Sequence, residues 1–406
     1  MCKCSQKNCD LEVFENNDKC ILHCEKDEWK LDAKENQYFS DCLKNLISEY
    51  KKTDDYKNGY LLELESLVYP LHNFAYFKEI EVHFEDSKFI NDVVLSSKDT
   101  KFIQFFNCDF YSNFRILGNL GTFDKELIIR ECIFHKLEDT NVIFNLSGTN
   151  FEKYVDLRET KFYRKTEFDD SSFEDNVFFN NCYFSDKLNL ENTIFYEKVN
   201  FFNIKLDNGI SNRETARIIK DSFEKQNNII AANEFYALEM KEREKELEED
   251  IKEGKNFLEW LVFKIHGISS NHSQDWLLAL YWIFIIGFIS SYYDFNLIQY
   301  EGKYVHYELS LIFKTIGLIF VVLFLNSICK IKDKLVNGSY FIICFYLVYI
   351  YSTEDYLLSL FSKTINPFSV MKTNDAINGI QLFFKIIIAY LIYQLIISIR
   401  QNTRRK

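Results

Sequence analysis

A chain of 406 residues has room for two or three domains, and this one carries 40 Phe and 25 Tyr against two Pro and 12 Gly. Residues 1–250 hold 50 acidic and 33 basic side chains, residues 251–406 hold 10 and 15, and the net charge is −12. The acidic front argues against binding nucleic-acid phosphates, which takes clustered Lys and Arg; the basic, apolar back suits a membrane domain with positive cytoplasmic ends.

The first 24 residues contain five of the 11 cysteines: Cys2, Cys4, Cys9, Cys20 and Cys24. The N-terminus is charged and lacks an apolar run, so no secretory signal is read. The front half is expected in a reducing cytoplasm, where clustered cysteines bind metal more often than they form disulfides. Cys4, Cys9, Cys20 and His23 follow C-x4-C-x10-C-x2-H. Two ligand pairs joined by a short loop, with thiolate and neutral imidazole donors, are what a tetrahedral zinc site needs. Four ligands leave no open position, which makes the expected role structural. A segment this short buries little apolar surface, so metal would supply its folding energy. Cys2 and Cys24 are spare thiols able to replace a ligand.

Residues 25–80 are expected to be a helical lead-in and cap. Trp29, Phe39, Leu43 and Leu46 recur at near-helical spacing, and the apolar stretch 60–80, with Pro70, is expected to cover the open end of a repeat domain that begins at 81.

From 81 to 206 the chain repeats, most regularly over 149–203. In rows of eleven, Phe151, Phe162, Phe173, Phe184 and Phe195 form one column. Leu157, Phe168, Phe179, Leu190 and Phe201 form a second, six places on. Thr149, Thr160, Ser171, Cys182 and Thr193 precede the first column by two, and Val155, Thr166, Val177, Leu188 and Val199 follow it by four. Each row holds two units of small-or-branched, any, large apolar, any, any, alternately six and five residues apart. A fixed period of this kind indicates a stacked solenoid. Before 149 the spacing slips, and 116–126 reads as an inserted loop.

This pattern resembles the pentapeptide-repeat family, with consensus A(D/N)LXX, over about 120 residues. The resemblance implies a right-handed quadrilateral β-helix, with the central large residue and the small residue two before it both pointing inward. Phe replaces the usual central Leu, and Thr, Ser or Cys replaces Ala. The sixth residue of alternate units implies a small bulge at a corner. Cys108, Cys132 and Cys182 fall in the small column and read as packing residues.

Residues 211–255 read as a helical hairpin, with Ser211 and Glu214 as a capping box, Ile219 and Phe223 on one face, and a break at 226–228. Phe235, Leu238 and Leu247 lie on the second helix, which ends in a solvated, ion-paired charged face. Residues 257–265 suit the headgroup region. The remainder, 256–406, reads as an all-α membrane domain of about four spans, 276–293, 309–329, 335–352 and 380–399, each near the ~20 residues a bilayer requires. The third is short, with Asn337 and Gly338 near its start. Basic residues at 330–334 and 400–406 place both termini in the cytoplasm. Trp276, Tyr292, Tyr293 and Tyr340 suit the interfaces. Lys314 and Lys385 are expected to snorkel, and Asn326 and Gln394 to join helices by hydrogen bonds. Between the third and fourth spans an outer-surface amphipathic helix is favoured over a re-entrant element at Asn366 and Pro367.

Phosphate-binding Gly-rich loops, a nucleophile elbow and a metalloprotease helix motif are all missing, so no enzyme and no catalytic residue is expected. The arrangement resembles bacterial membrane-anchored pentapeptide-repeat proteins, which implies a multi-pass inner-membrane location but no established activity. The leading expectation is a protein-binding or scaffolding module at the cytoplasmic face; the alternative is a channel or transporter gated by the β-helix. Mimicry of duplex DNA, known in soluble members, fits poorly, because rows 149–203 mix 11 acidic with seven basic residues. Expected partners are the lipid bilayer and a cytoplasmic protein, with no nucleic acid and with room for a homo-oligomer.

Overall fold

The computed structural model describes residues 3–403 except 7–8, 15–17, 27–32, 73, 99–100, 118–120, 137–142, 300–333 and 367–378. The chain divides into two compact units, Met1–Glu242 and Arg243–Lys406.

In the first unit, helices α1 (Ala33–Tyr50) and α2 (Asp54–Lys57) precede a parallel β-solenoid of about six turns. Its strands form four parallel sheets of seven, seven, five and four strands. In the regular part Val155 pairs with Val177 and Val177 with Val199, while Lys161 pairs with Tyr183 and Tyr183 with Lys205. One coil is therefore 22 residues, two rows of eleven. Both large columns face inward: Phe151, Phe162, Phe168, Phe173, Phe179 and Phe201 are fully buried. Rings one coil apart stack, with centroids 4.8 Å apart for Phe162–Phe184 and 4.9 Å for Phe151–Phe173. No single coil buries such a column, so stability resides in the stacking.

The left-handed turn falls not at the extra residue of the six-residue units but at the last residue of each five-residue unit. Glu159, Asp170, Asn181, Asn192 and Asn203, the last residue of every row, all adopt left-handed backbone, with φ between 54° and 62°. Asn and Asp tolerate that region best. Their side chains also bond one coil down: Asn192 Nδ2 donates to Asp170 Oδ1 at 3.0 Å, and Asn203 Nδ2 to Asn181 Oδ1 at 2.8 Å. The small column explains why this chain prefers Thr, Ser and Cys to Ala. Thr160 Oγ1, Ser171 Oγ and Thr193 Oγ1 each donate at 2.9 Å to a buried carbonyl of the preceding coil, those of Ile129, Leu146 and Phe168. Cys182 Sγ does the same toward Leu157 O at 2.9 Å. The column supplies donors where the turns interrupt the ladder.

Two expectations about the early repeat are corrected. Residues 60–80 are not a lid: Leu62–Glu65 and Val68–Tyr69 are strands of the first coil, paired with Glu81–Glu85 and Lys88–Phe89. Leu62, Leu64 and Tyr69 fill inward positions that later coils give to Val and Phe, so the column of Phe misses them. The stretch 116–126 is not an inserted loop either. Phe114–Leu117 and Thr122–Phe123 are strands of the third and fourth sheets. Ile103 pairs with Leu127 and Leu127 with Val155, 24 and 28 residues on. Extra residues thus enter between strands, and the inward register survives because a slip would turn apolar side chains outward.

After the last coil come α3 (Arg213–Lys225) and α4 (Ile229–Lys252), which runs across the division between the units. The cap of α3 is not Ser211 but Asn212, whose Oδ1 accepts from Thr215 N at 2.9 Å. Ser211 Oγ instead donates to Leu188 O.

The second unit contains α5 (Phe257–Ser270), α6 (Trp276–Gln299), α7 (Lys334–Thr353), α8 (Ser359–Ile365) and α9 (Gly379–Thr403). Three stretches, Trp276–Asn296, Val336–Thr353 and Gly379–Gln401, are long and apolar enough to cross a membrane. The expected span 309–329, with Lys314 and Asn326, lies outside the described residues, as does Pro367. Gly338 admits α7 against α6, since a Cβ there would lie 2.0 Å from the Tyr281 ring. The short α8 rests on α6 through Phe361, whose ring is 4.5 Å from that of Phe288. On α5, Leu258, Val262, Ile265 and Ile268 form an exposed apolar stripe, the side a headgroup-level helix would bury.

Candidate metal centre

The four expected ligands converge. A helical turn, with His23 N and Cys24 N both donating to Cys20 O, puts Cys20 and His23 on one face. Cys4 and Cys9 reach them through a short knuckle in which Cys4 N donates to Leu11 O and Ser5 N to Asp18 O. The donor atoms Cys4 Sγ, Cys9 Sγ, Cys20 Sγ and His23 Nδ1 all lie within 4.8 Å of one another. Cys9 Sγ is 3.7 Å from Cys20 Sγ, and His23 Nδ1 is 3.6 Å from Cys4 Sγ and 3.1 Å from Cys20 Sγ. A tetrahedron with metal–sulfur bonds of about 2.3 Å has edges of roughly 3.8 Å, so the set fits a metal ion with little movement. Cys24 is not part of it; its Sγ points to Ile21 O. Cys2 lies outside the described residues.

The surroundings favour a ligating imidazole and require metal to deprotonate thiols. Burial drives His23 down to about 4, with help from the Lys26 charge, while a hydrogen bond to the Glu65 backbone opposes the shift. The neutral ring thus keeps a lone pair on the nitrogen facing the sulfurs, and the backbone bond orients it. Burial pushes Cys20 up to about 12 and also raises Cys9. At Cys4 burial acts the same way, but amides of Cys20 and Gln6 overcome it and hold the thiol below its ordinary value. Metal binding therefore displaces protons.

Lys26 was not foreseen. It is fully buried, donates to Cys24 O at 2.8 Å, and stands 5.3 Å above the Phe39 ring. Burial lowers it to about 8, against the pull of Cys24 and Cys20. A divalent ion on three thiolates would leave one negative charge, which the nearby Lys26 ammonium would help to balance. The knuckle also sits on the solenoid: Val68 N donates to Leu22 O at 3.0 Å, Gln6 bonds Ser66, and Ile21 and Leu22 enter the same core as Leu64 and Leu67. The head and α1, not residues 60–80, close the first coil.

A second polar cluster, also unforeseen, lies in the other unit. Asn271, His272 and Ser273 have left-handed backbone in succession, with φ of 48°, 54° and 64°. This folds His272 back on α5, so that its Nδ1 lies 3.2 Å from His266 Nδ1. Ser273 Oγ is 3.2 Å from His266 Nε2 and donates to Gln394 Oε1 at 3.1 Å, as does Ser270. Gln394 thus joins helices, as expected. Lys385 is half-buried on the same helix.

No family model, curated protein or solved structure matches the chain.

Proposed function

We propose that this chain is a membrane-anchored repeat protein of the pentapeptide-repeat kind, a right-handed four-sided coil held at the cytoplasmic face of the inner membrane, whose outward positions bind a cytoplasmic protein. The observation that carries the reading is the division of labour along each row. The large and small columns point inward, so most of the residues between them face outward and form a rigid, closely spaced grid. Three helices with the length and apolarity of spans supply the anchor. The Cys4, Cys9, Cys20 and His23 site holds structural zinc, the ion that best suits three thiolates and an imidazole without an open position. The role is non-catalytic.

The test is affinity purification of the tagged full-length chain from cross-linked cells. A defined protein should co-purify in near-stoichiometric amount and be missing from an unrelated multi-span control. Recovery of nothing above that control would sink the proposal.

A further inference from the structure

We propose that the exposed edge of the fourth sheet is a docking site for an extended peptide, which adds itself as one more parallel rung. This rests on the protein-binding reading above and specifies where on the chain, and to what chemistry, that binding occurs.

Ile194–Phe195 is the last strand of the fourth sheet. On its paired side Ile194 N and Tyr196 N donate to Ser171 O and Phe173 O, both at 3.0 Å. On the other side Thr193 O, Phe195 N and Phe195 O make no hydrogen bond among the described residues. The rung below shows what such an edge accepts: Ser172 N donates to Thr149 O at 3.1 Å and Glu174 N to Phe151 O at 2.9 Å. A peptide with two amides two residues apart and a carbonyl between them reproduces that pattern.

Two neighbouring sheet ends are closed by the chain itself. Val199 O, in the first sheet, receives Ser222 Oγ at 3.0 Å and Gln226 Nε2 at 3.1 Å. In the third sheet Ile210 bridges Leu188, and Thr215 Oγ1 accepts from Leu190 N at 2.9 Å. Thr215 and Ser222 lie on α3 and Gln226 is its C-cap, whereas neither the helix nor its cap bonds the edge of the fourth sheet among the described residues. The space between is a cavity of about 750 Å³ lined by Thr193, Phe195, Val199, Ile218 and Ser222 among others.

The occupant is defined by continuity with the ladder it joins. Phe151, Phe173 and Phe195 stack in sequence, at 4.9 and 5.1 Å, and Phe123 meets Phe151 edge-on at 5.9 Å. Phe151 and Phe173 are fully buried, whereas Phe195 keeps one face toward the cavity and is only half-buried. An aromatic residue between the two donating amides would cover that face as Phe195 covers Phe173. Glu197, Lys198, Asp221 and Lys225 ring the opening with two charges of each sign, so the site selects no polyion. The peptide class is small, any, Phe, any, in extended conformation.

The experiment uses the full-length chain in nanodiscs and a fluorescein-labelled hexapeptide, Ser-Ser-Phe-Glu-Asp-Asn, which copies residues 171–176. Anisotropy should show saturable binding that weakens at least tenfold when the peptide Phe becomes Ala. Binding should vanish when the amides of its second and fourth residues are N-methylated, an arm that needs no protein variant. Asp221→Trp, which fills the cavity from its half-exposed rim, should abolish binding with an unchanged circular dichroism spectrum. Absence of saturable binding up to about 1 mM peptide, or binding indifferent to N-methylation, would overturn the proposal. So would self-association of the chain that Asp221→Trp abolishes, since a second copy would then be the occupant. A co-purifying partner retained equally by Asp221→Trp would also overturn the peptide site while leaving the broader function standing.

Discussion

Arg164 shows how one side chain braces an irregularity in the repeat. Its guanidinium donates to the carbonyls of Phe110 and His135, each at 2.6 Å, and to that of Ser112. It lies 5.7 Å from the Phe134 ring, is almost fully buried, and is pushed down to about 10 by that burial, with Asp92 opposing. Phe162 to Thr166 is the short link between the second and third sheets, while the coil below has six more residues between Phe134 and Phe144. The fork of donors ties together carbonyls of two successive coils, Phe110 O also accepting from His135 N at 3.0 Å. Arg164→Ala is expected to destabilise the solenoid by about 3 kcal/mol, read as a lower urea midpoint, and Arg164→Lys to recover little of it because an ammonium lacks the planar fork. In the sequence Arg164 looks like any outward position; only its depth distinguishes it. The same is true of Lys26. The Glu, Asp and Asn column at 159, 170, 181, 192 and 203, in contrast, was visible as a period but carries no hydrophobic signal, so a search for apolar columns passes over it.

At the scale of elements, the candidate site of Cys4, Cys9, Cys20 and His23 was legible because ligand type and spacing are local, whereas its docking on coil one depends on Leu22 meeting Val68 across distant sequence. Removing metal should therefore do more than loosen 24 residues. Chelation, or Cys20→Ser, is expected to release about one equivalent of zinc and to lower the thermal transition of the whole solenoid, because Ile21 and Leu22 leave the end of the core. Metal content near zero in the purified native chain would refute the assignment. The His266–His272 pair hid for another reason: both fall between the 257–265 segment and the span from 276, and only the left-handed turn at 271–273 brings them together. Burial lowers both, and their mutual proximity adds to the shift at His266. At His272 burial and Lys264 outweigh Glu244, which stands 3.8 Å away. Well above pH 6.5 both are neutral whether folded or not. As pH falls below 6.5 the unfolded chain takes up protons that the folded pair resists, so stability declines by up to about 1.4 kcal/mol per pH unit for each proton. A thermal-shift series from pH 7.5 to 5 should fall, and His272→Gln should flatten it.

For the whole molecule, the regular rows fixed the architecture, and the coil length explains why. Because Val155, Val177 and Val199 stand at equal intervals, deleting residues 155–176 removes one coil and leaves each following strand opposite an equivalent partner. That variant is expected to fold with an unaltered spectrum and a modestly lower melting temperature. Deleting only 155–165 still stacks Phe on Phe. It brings Thr215, Ser222 and Gln226 to the wrong sheet ends, however, and should cost a further 2–4 kcal/mol through uncapped carbonyls. The slipped spacing before residue 149 misled a strict periodic reading because extra residues between strands alter counts and not register.

The equal interval also bears on heredity. A stretch of gene encoding one coil can be copied or lost in frame, and the product keeps its ladders, its left-handed turns and its capping helix. Each such event changes the height of the solenoid by one inter-strand spacing, about 4.8 Å. A lineage can thus lengthen or shorten this protein in steps that selection sees as folded from the first generation.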